Sequence, residues 1–151
     1  MASKANKHRY YKQSGVIPVY KGKVVLITAS GSKRWIIPKG NVDWDLSARD
    51  SAAQEALEEA GIKGEVSKKE IGSYTYEKNG GRYKVRLYHM DVTKLKDKWD
   101  EDHFRKRKLV SPKQAIKKVV PAAVSKLMAK HFHENRHLIK KKKKRKSKKK
   151  D

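Results

Sequence analysis

The sequence of 151 residues predicts a single α/β domain, in which strands and helices share one modest core. Two observations carry this prediction. Apolar runs with strand-like patterning, bounded by turn residues, lie on both sides of a well-delimited helical segment at residues 47–60. A second helical stretch follows at about residues 111–133. Cysteine is absent, which excludes disulfides, thiolate zinc sites and cysteine nucleophiles.

Three strands are predicted before the central helix, because apolar and β-branched residues cluster there. Lys21 and Gly22 supply a tight turn between the first two strands. Pro38 ends the third, because proline cannot donate a hydrogen bond to a neighbouring strand. Residues 39–46 are expected to form an irregular loop. The predicted strands occupy residues 15–20, 23–29 and 34–37.

The strongest local signals delimit the central helix. Ser47 followed by Asp50 resembles a capping box with aspartate in the glutamate position, and Gly61 is a typical helix stop. Four small or apolar residues at helical spacing predict a narrow buried stripe, which would let the helix backbone approach a sheet closely. They are Ala53, Ala56, Leu57 and Ala60.

The second half of the chain is predicted to contain a long hairpin and two further helices. Asn79, Gly80 and Gly81 favour the hairpin turn. Ser111 followed by Pro112 is a favourable helix start. The predicted elements are strands at residues 65–77 and 82–92, a loop at 93–108, a short strand at 109–110, a helix from residue 111 that Pro121 interrupts, and a helix at 122–133.

The chain carries a formal net charge of +24. Ten basic residues lie between Lys140 and Lys150, and without them and Asp151 the balance is still 30 basic against 15 acidic residues. We expect three parts: a flexible basic arm at residues 1–12, the folded domain at 13–138 and a disordered polylysine tail at 139–151. The tail would contact nucleic acid without sequence preference, serve as a nuclear address, or simply aid solubility.

Three glutamates crowd into five residues of this basic chain. At helical spacing, Glu55, Glu58 and Glu59 would share one face, where like charges repel. Carboxylate oxygens are the ligands that Mg2+ and Mn2+ prefer. The sequence therefore predicts a site for a hard divalent cation on this helix.

The glutamates belong to a longer pattern that starts at Gly40. Five residues separate Gly40 from Leu46, and seven more precede the run Gln54-Glu55-Ala56-Leu57-Glu58-Glu59-Ala60-Gly61-Ile62. This spacing resembles the Nudix box, with Leu46 in place of a glutamate and Gln54 in place of an arginine. The resemblance implies the Nudix fold, a mixed sheet between helices. Residues 33–40, 105–107 and 111–116 also look like the diphosphoinositol polyphosphate and diadenosine polyphosphate phosphohydrolase branch.

The resemblance implies a role for each box residue. The Gly40 carbonyl, Glu55 and Glu59 resemble the ligands of Mg2+ or Mn2+, and Glu58 resembles the proton acceptor. Basic residues would bind the phosphates of the substrate, because arginine suits bidentate phosphate contacts. The candidates are Lys12, Arg34, Lys39, Arg82, Lys84, Arg86, Arg105 and Arg107. Trp35 is expected in the core, and Trp99 is left open between a structural and a base-stacking role.

The predicted function is a metal-dependent phosphoanhydride hydrolase acting on a polyphosphorylated small molecule, either a diphosphoinositol polyphosphate or a dinucleoside polyphosphate. Two alternatives stay open: an RNA 5′-end pyrophosphohydrolase, and a catalytically weak module that binds polyanions. No apolar stretch is long enough to span a bilayer. No secretory signal is visible in the first residues. We expect a cytoplasmic protein, or a nuclear one if the organism has a nucleus.

Overall fold

The computed structural model describes residues 9–140, which contain seven strands and three α-helices. The strands are β1 (Tyr11–Tyr20), β2 (Lys23–Thr28), β3 (Trp35–Ile36), β4 (Lys39–Asn41), β5 (Ile62–Lys78), β6 (Gly81–Leu95) and β7 (Arg107–Val110). The helices are α1 (Ala48–Ala60), α2 (Pro112–Lys118) and α3 (Ala122–Glu134), and a 3-10 turn follows at Arg136–Leu138.

All seven strands belong to one sheet, whose path runs β3, β2, β1, β6, β5, with β4 paired to β1 and β7 paired to β2. The central strand β1 runs parallel to β6 and antiparallel to β2 and β4. β5 and β6 form a long antiparallel hairpin, whose turn residues Asn79 and Gly80 both have positive φ. The sheet is therefore mixed, as the sequence predicted.

Helices cover both faces of the sheet. On one face, the alanines of α1 pack against apolar residues such as Val16, Val25 and Met90. On the other face, α3 packs larger side chains against residues such as Ile17 and Leu87. The predicted arrangement of a mixed sheet between helices is confirmed.

The alternation of β6 decides where its basic residues lie. Tyr88 and Met90 belong to the core on the α1 face, whereas Val85 and Leu87 belong to the core on the α3 face. Successive side chains of a strand point to opposite faces, so even-numbered residues of this strand share the α1 face. The basic row that continues this alternation beyond the core consists of Arg82, Lys84 and Arg86.

Both ends of α1 form as the sequence predicted. The Ser47 hydroxyl accepts a hydrogen bond from the Asp50 amide at 3.0 Å, and Gly61 ends the helix at φ +64°. The predicted buried stripe is only half right, because Ala53 and Leu57 are half-buried. The face that is buried consists of Ser51, Ala52, Ala56, Glu59 and Ala60.

Several predicted boundaries differ from the structure for reasons of strand pairing. β1 begins at Tyr11, because Tyr11 and Lys12 pair with β6. Residues 39–41, predicted as loop, form β4 because they pair with residues 13–15 of β1. β5, β6 and β7 are also longer than predicted. Most of the predicted arm and tail lies outside the described residues.

None of the helices described within residues 9–140 is long and apolar enough to cross a membrane.

Candidate active site

The core of the candidate site is a contact between β4 and α1. Gly40 lies opposite Ser14 of β1, and a side chain at position 40 would collide with the carboxyl group of Glu55. Because glycine has no Cβ, the backbone of β4 can lie directly against this carboxylate. The structure thus brings together two of the predicted metal ligands, Gly40 and Glu55, from elements that are distant in sequence.

The third predicted ligand, Glu59, lies one helical turn further along α1 and is buried, at 8% exposure. Its Oε1 accepts a hydrogen bond from the backbone N–H of Lys39 at 3.1 Å. Its Oε2 lies 3.8 Å from the guanidinium of Arg105. Glu59 is also within side-chain hydrogen-bonding reach of Glu55. Two carboxyl groups therefore share a mostly enclosed space beside the backbone of β4.

Burial disfavours ionisation of both carboxyl groups. Burial raises the pKa of Glu59 to about 8, although Arg105 and the Lys39 amide act in the opposite direction. Burial also raises the pKa of Glu55, and the nearby charges of Glu58 and Glu101 add to that effect. Ionising two adjacent buried carboxyl groups costs free energy. A divalent cation bound to both would offset this cost and take the place of their protons.

Glu58 lies between the other two glutamates in sequence but is held separately. Its Oε2 accepts a hydrogen bond from Nε2 of Gln54 at 3.1 Å. Gln54 occupies the position where the Nudix box has arginine. The amide therefore orients a neighbouring carboxylate without supplying a charge.

Arg105 and Arg107, predicted to bind the substrate, both contact other parts of the protein. Arg105 pairs with Glu101 at 2.7 Å and donates to the carbonyl of Thr28 at 2.8 Å. Arg107 donates to the carbonyl of Ala60 at 2.9 Å, at the C-terminal end of α1. These contacts bridge β2, α1 and the chain before β7. They position α1 against the sheet, and sequence spacing could not reveal the contacts with Thr28 and Ala60 because both partners are remote in sequence.

Trp99, left open by the sequence, is a structural residue at the end of α1. Its indole N–H donates to the Glu59 carbonyl at 3.0 Å. Its ring covers Gly61, where an added Cβ would lie only 2.8 Å away, and the Arg107 guanidinium stacks over it at 4.3 Å. Trp99 therefore helps to fix the position of the end of α1, which carries Glu59.

Three of the predicted phosphate-binding residues line one cleft of about 700 Å³ on the α1 face: Lys12, Lys84 and Arg86. The register explains this grouping, because Lys12 pairs with Lys84 and Ser14 pairs with Arg86. The cleft also touches Val42 and Ala48, next to the start of α1. Arg86 forms an exposed ion pair with Glu70 at 3.6 Å, a contact that a phosphate group could replace at little cost.

The remaining predicted substrate residues lie elsewhere. Arg82 lines a neighbouring cleft and donates to the Tyr10 hydroxyl at 2.8 Å. Lys39 donates from Nζ to the Tyr76 hydroxyl at 3.1 Å. Arg34 is exposed in the turn between β2 and β3, where it donates to the Ser32 hydroxyl at 3.2 Å. The predicted set of eight basic residues therefore divides into one cleft group and several separate positions.

The donor set of the site fits a magnesium-like ion better than a zinc-like one. Gly40, Glu55 and Glu59 offer oxygen ligands only. Ser14, opposite Gly40, adds a buried hydroxyl that has no hydrogen-bond partner in the described part of the chain. Within residues 9–140 no cluster of three acidic or histidine side chains could hold a metal ion alone. Mg2+ commonly takes one or two carboxylates and completes its shell with water and substrate phosphates.

The sequence does not identify one exposed aromatic residue that lies shortly before α1. Trp44 is 96% exposed in the loop between β4 and α1. The amide of Asp43 donates to the Ser51 hydroxyl at 3.1 Å, which ties this loop to the first turn of α1. A tryptophan flanked by two aspartates gives no hydropathy signal for burial or exposure, so its position required the structure.

Comparison with known proteins agrees with this geometry. Nudix hydrolase 4 of Arabidopsis thaliana is 29% identical over 113 residues, which cover 72% of this chain and 53% of that protein. Diphosphoinositol polyphosphate phosphohydrolase 2 of Rattus norvegicus is 30% identical over 98 residues, covering 63% of this chain and 53% of that protein. The chain thus spans about half the length of these curated relatives.

The fold is also similar to solved structures. The crystal structure of a C. elegans Ap4A hydrolase matches with a TM-score of 0.67 and 23% identity, covering 83% of this chain and 98% of that chain. At this identity the likeness concerns the fold alone. The NUDIX domain family model matches residues 11–131, a span that includes β4, α1 and the basic cleft. The chain therefore belongs to the NUDIX domain family.

Proposed function

We propose that this protein is a metal-dependent hydrolase that cleaves a phosphoanhydride bond in a highly phosphorylated small molecule. The observation that carries the proposal is that a pair of acidic side chains and a cluster of basic side chains lie on the same side of the sheet. Glu55 and Glu59 lie against β4, and the cleft containing Lys12, Lys84 and Arg86 opens on the α1 face beside it. Acidic ligands beside a basic cleft suit a substrate that carries phosphates and a cation together.

Gly40, Glu55 and Glu59 would hold Mg2+ or Mn2+, the ions that their oxygen ligands favour. Nudix hydrolases generally use divalent metal ions. When bound, such an ion would neutralise the diphosphate and make the attacking water more acidic. Arg105 and the Lys39 amide fix Glu59, so the ligand pair is oriented before the substrate arrives.

Glu58 is proposed to accept the proton from the attacking water. The water oxygen forms a bond to phosphorus, the bond from phosphorus to the bridging oxygen breaks, and the leaving phosphate keeps that electron pair. Gln54 holds the Glu58 carboxylate with its amide N–H, so the base is oriented without being neutralised by a cation.

The cleft residues are proposed to bind the phosphates that do not react. Lys12 and Lys84 are exposed, and Arg86 is half-exposed, so their charges are accessible to a ligand. Several cations within one cleft favour a diphosphoinositol polyphosphate or a dinucleoside polyphosphate over a ligand with one phosphate. The similar proteins include a diphosphoinositol polyphosphate phosphohydrolase and an Ap4A hydrolase, which supports this substrate class.

The test is a panel of phosphorylated substrates incubated with Mg2+ and the full chain. We expect phosphate release from at least one diphosphoinositol polyphosphate or dinucleoside polyphosphate. Glu58→Gln should lower kcat by about 10²- to 10⁴-fold, the usual contribution of a positioned base. The matched control is Glu65→Gln, because Glu65 is an exposed glutamate of β5 outside the Nudix box.

A different result would identify the polyanion-binding alternative. If the wild type hydrolyses no member of the panel and Glu58→Gln binds each polyphosphate equally well, the hydrolase proposal is wrong. The control variant shows whether any loss comes from removing a carboxylate in general.

An RNA 5′ end is the second candidate substrate, favoured by the net charge of +24. Release of pyrophosphate from 5′-triphosphorylated RNA would be compared with phosphate release from an inositol pyrophosphate. Protein truncated after Leu138 would be assayed beside the full chain. Loss of RNA turnover alone on truncation would assign the tail as an RNA contact. We propose a cytoplasmic or nuclear location, which imaging of tagged full-length protein would test.

A further inference from the structure

Four tyrosines gather at the end of the sheet where β1 begins and the hairpin between β5 and β6 turns. We call this group the tyrosine platform: Tyr10, Tyr11, Tyr76 and Tyr83. The Tyr76 and Tyr83 rings stack with centroids 4.9 Å apart and an interplanar angle of 13°. Tyr11 continues the column, with its ring 5.3 Å from that of Tyr83. Strand register produces the column, because Tyr83 pairs with both Tyr11 and Tyr76.

The outer members of the platform are accessible. Tyr11 is 64% exposed and Tyr10 is 38% exposed, which makes them two of the four large apolar or aromatic residues most open to solvent in the described chain. Tyr76 and Tyr83 are half-buried and support Tyr11 from below. An exposed tyrosine that is braced by a stacked column keeps its ring orientation, so little entropy is lost when a flat ligand stacks on it.

Cations surround the platform. The Arg82 guanidinium lies 4.6 Å from the centre of the Tyr10 ring, and Lys39 Nζ lies 4.8 Å from the centre of the Tyr76 ring. Arg9 lines the same cleft of about 540 Å³ as Tyr10, Tyr11 and Arg82. One acid, Glu77, also lines this cleft. Gly80 and Gly81 form its remaining wall, and Gly81 lies beside the ring of Tyr11.

The hydrolase proposal does not use the rings of Tyr11, Tyr76 and Tyr83, although Arg9 and Tyr10 also line its basic cleft. Tyr11 and Tyr83 are odd-numbered strand residues, so their rings lie on the sheet face opposite Lys12 and Lys84. An inositol phosphate has no flat ring to stack, whereas the bases of a dinucleoside polyphosphate could use the same rings as an unpaired strand. Aromatic faces interleaved with arginine and lysine are the features that bind unpaired bases and the phosphates between them. A chain with a net charge of +24 attracts such a polyanion from a distance.

We infer that the tyrosine platform is a binding surface for single-stranded nucleic acid that adjoins the basic cleft of the proposed hydrolytic site. Unpaired bases stack on Tyr11 and Tyr10, and Arg9 and Arg82 contact the adjoining phosphates. Stacking uses the face that every base has, so the surface prefers single strands over duplexes and has little sequence preference. The polylysine tail adds affinity for any polyanion, whereas the platform distinguishes unpaired from paired strands.

The test is fluorescence anisotropy with the full chain and a single-stranded RNA of about ten nucleotides, a typical length for one such surface. The RNA carries a 5′-hydroxyl and the buffer contains a chelator, so neither a terminal phosphate nor a divalent ion engages the hydrolytic site. Tyr11→Ala should weaken binding about tenfold, because base stacking on one aromatic residue contributes on this scale. Tyr11→Phe keeps the ring and should stay within about twofold of the wild type.

Duplex RNA of the same sequence is the second ligand, and Tyr11→Ala should bind it as the wild type does. Phe104→Ala removes another exposed ring, 44% exposed and outside the platform, and should leave single-strand binding unchanged. The inference is overturned if Tyr11→Ala binds the single strand as tightly as the wild type. It is also overturned if single-strand and duplex affinities fall together. A single-stranded DNA arm shows whether the sugar matters, and thermal unfolding confirms that each variant is folded.

Discussion

Helices α1 and α3 cover opposite faces of the same sheet, and they do so with different side chains. α3 buries Val124, Met128 and Phe132, large residues at helical spacing. α1 buries Ala52, Ala56 and Ala60 together with the polar Ser51 and Glu59. The large residues of α3 remove much apolar area from water, whereas alanines contribute little area but allow close approach of the backbone.

The difference shows how one domain separates stability from chemistry. Close packing of α1 brings Glu55 against Gly40, a contact that larger buried residues would prevent. The area that α1 lacks is replaced by specific contacts at its end, from Trp99 and Arg107 to backbone carbonyls. We therefore expect changes in α3 to act on stability and changes around α1 to act on activity.

The largest expected effect on stability is in α3. Phe132 is 3% exposed in the core on the α3 face. Phe132→Ala should lower the free energy of unfolding by about 3–5 kcal/mol, because it removes apolar contacts and leaves a cavity. Urea unfolding measures this change. Phe132→Leu is the matched control and should cost clearly less. Equal losses for both variants would show that α3 does not stabilise the fold through packed volume.

Gly40→Ala is expected to do the opposite of Phe132→Ala: it should lower activity strongly and stability only slightly. An added methyl group would collide with the Glu55 carboxyl, the mobile end of a flexible side chain. The chain can relieve the clash by moving Glu55, so the cost in stability should be small. The cost in activity should be about 100-fold in kcat/KM, because a predicted metal ligand is displaced. Steady-state kinetics measured beside urea unfolding separates the two effects.

Gly31→Ala is the control for that comparison. Gly31 has φ +67° in the turn between β2 and β3, with open space around its Cα. Alanine there should cost about 1 kcal/mol of stability through backbone strain and leave kinetics unchanged. If Gly40→Ala loses stability and keeps activity, the proposed role of Gly40 and Glu55 is wrong.

Local signals predicted α1 well, and non-local pairing explains most of what the sequence did not predict. Ser47 and Gly61 act within one helical turn, so the helix ends could be identified from neighbouring residues. β4 could not, because Gly40 and Asn41 are poor strand formers and become a strand only by pairing with β1. Strand formation there is a property of two segments that are distant in sequence.

The candidate site likewise has one part that the sequence predicted and another that only the structure shows. The carboxylates could be predicted because spacing within one helix fixes their relation. Burial of Glu59 could not, since Lys39 and Arg105 stabilise it from other elements. Arg107 illustrates the converse: its charge suggested phosphate binding, which stays a prediction, and only the fold shows its contact with the remote carbonyl of Ala60. Sequence identified the chemical groups, and only the fold showed which of them are engaged with the protein.

Trp99→Phe tests whether the end of α1 is held by a hydrogen bond as well as by packing. The phenyl ring can still cover Gly61 but cannot donate to the Glu59 carbonyl. We expect a loss of about 1 kcal/mol in unfolding free energy, the usual value of one such bond. Trp44→Phe, at a fully exposed ring, should change stability by less than that. Equal effects for the two variants would remove Trp99 from the support of α1.

The smallest expected effect concerns the histidines between β6 and α3. Nδ1 of His89 lies 3.0 Å from Nε2 of His131, and Nε2 of His89 lies 3.1 Å from Asp91. Burial lowers the pKa of His131 to about 4, and burial lowers the pKa of His89 as well. Below the ordinary histidine pKa of about 6.5 the unfolded chain binds protons that the folded protein does not. The histidine contribution to stability should therefore fall as pH drops from about 6.5 towards 4. Glu59, whose pKa is raised to about 8, acts in the opposite direction, because the folded protein binds its proton before the unfolded chain does.

Urea unfolding of the wild type and of His131→Gln at pH 7 and pH 5 isolates the histidine contribution, because Glu59 is common to both proteins. We expect this contribution to be about 1 kcal/mol after allowance for solvent screening at the half-buried His131. In His131→Gln the free energy of unfolding at pH 5, relative to pH 7, should be higher than in the wild type, because the variant lacks a group that gains a proton only on unfolding. His103→Gln, at an exposed histidine of the loop before β7, should keep the wild-type slope. Equal pH dependence of His131→Gln and the wild type between pH 7 and pH 5 would mean that His131 is not held neutral on the α3 face. In that case the contrast between a face built for stability and a face built for chemistry would rest on packed volume alone.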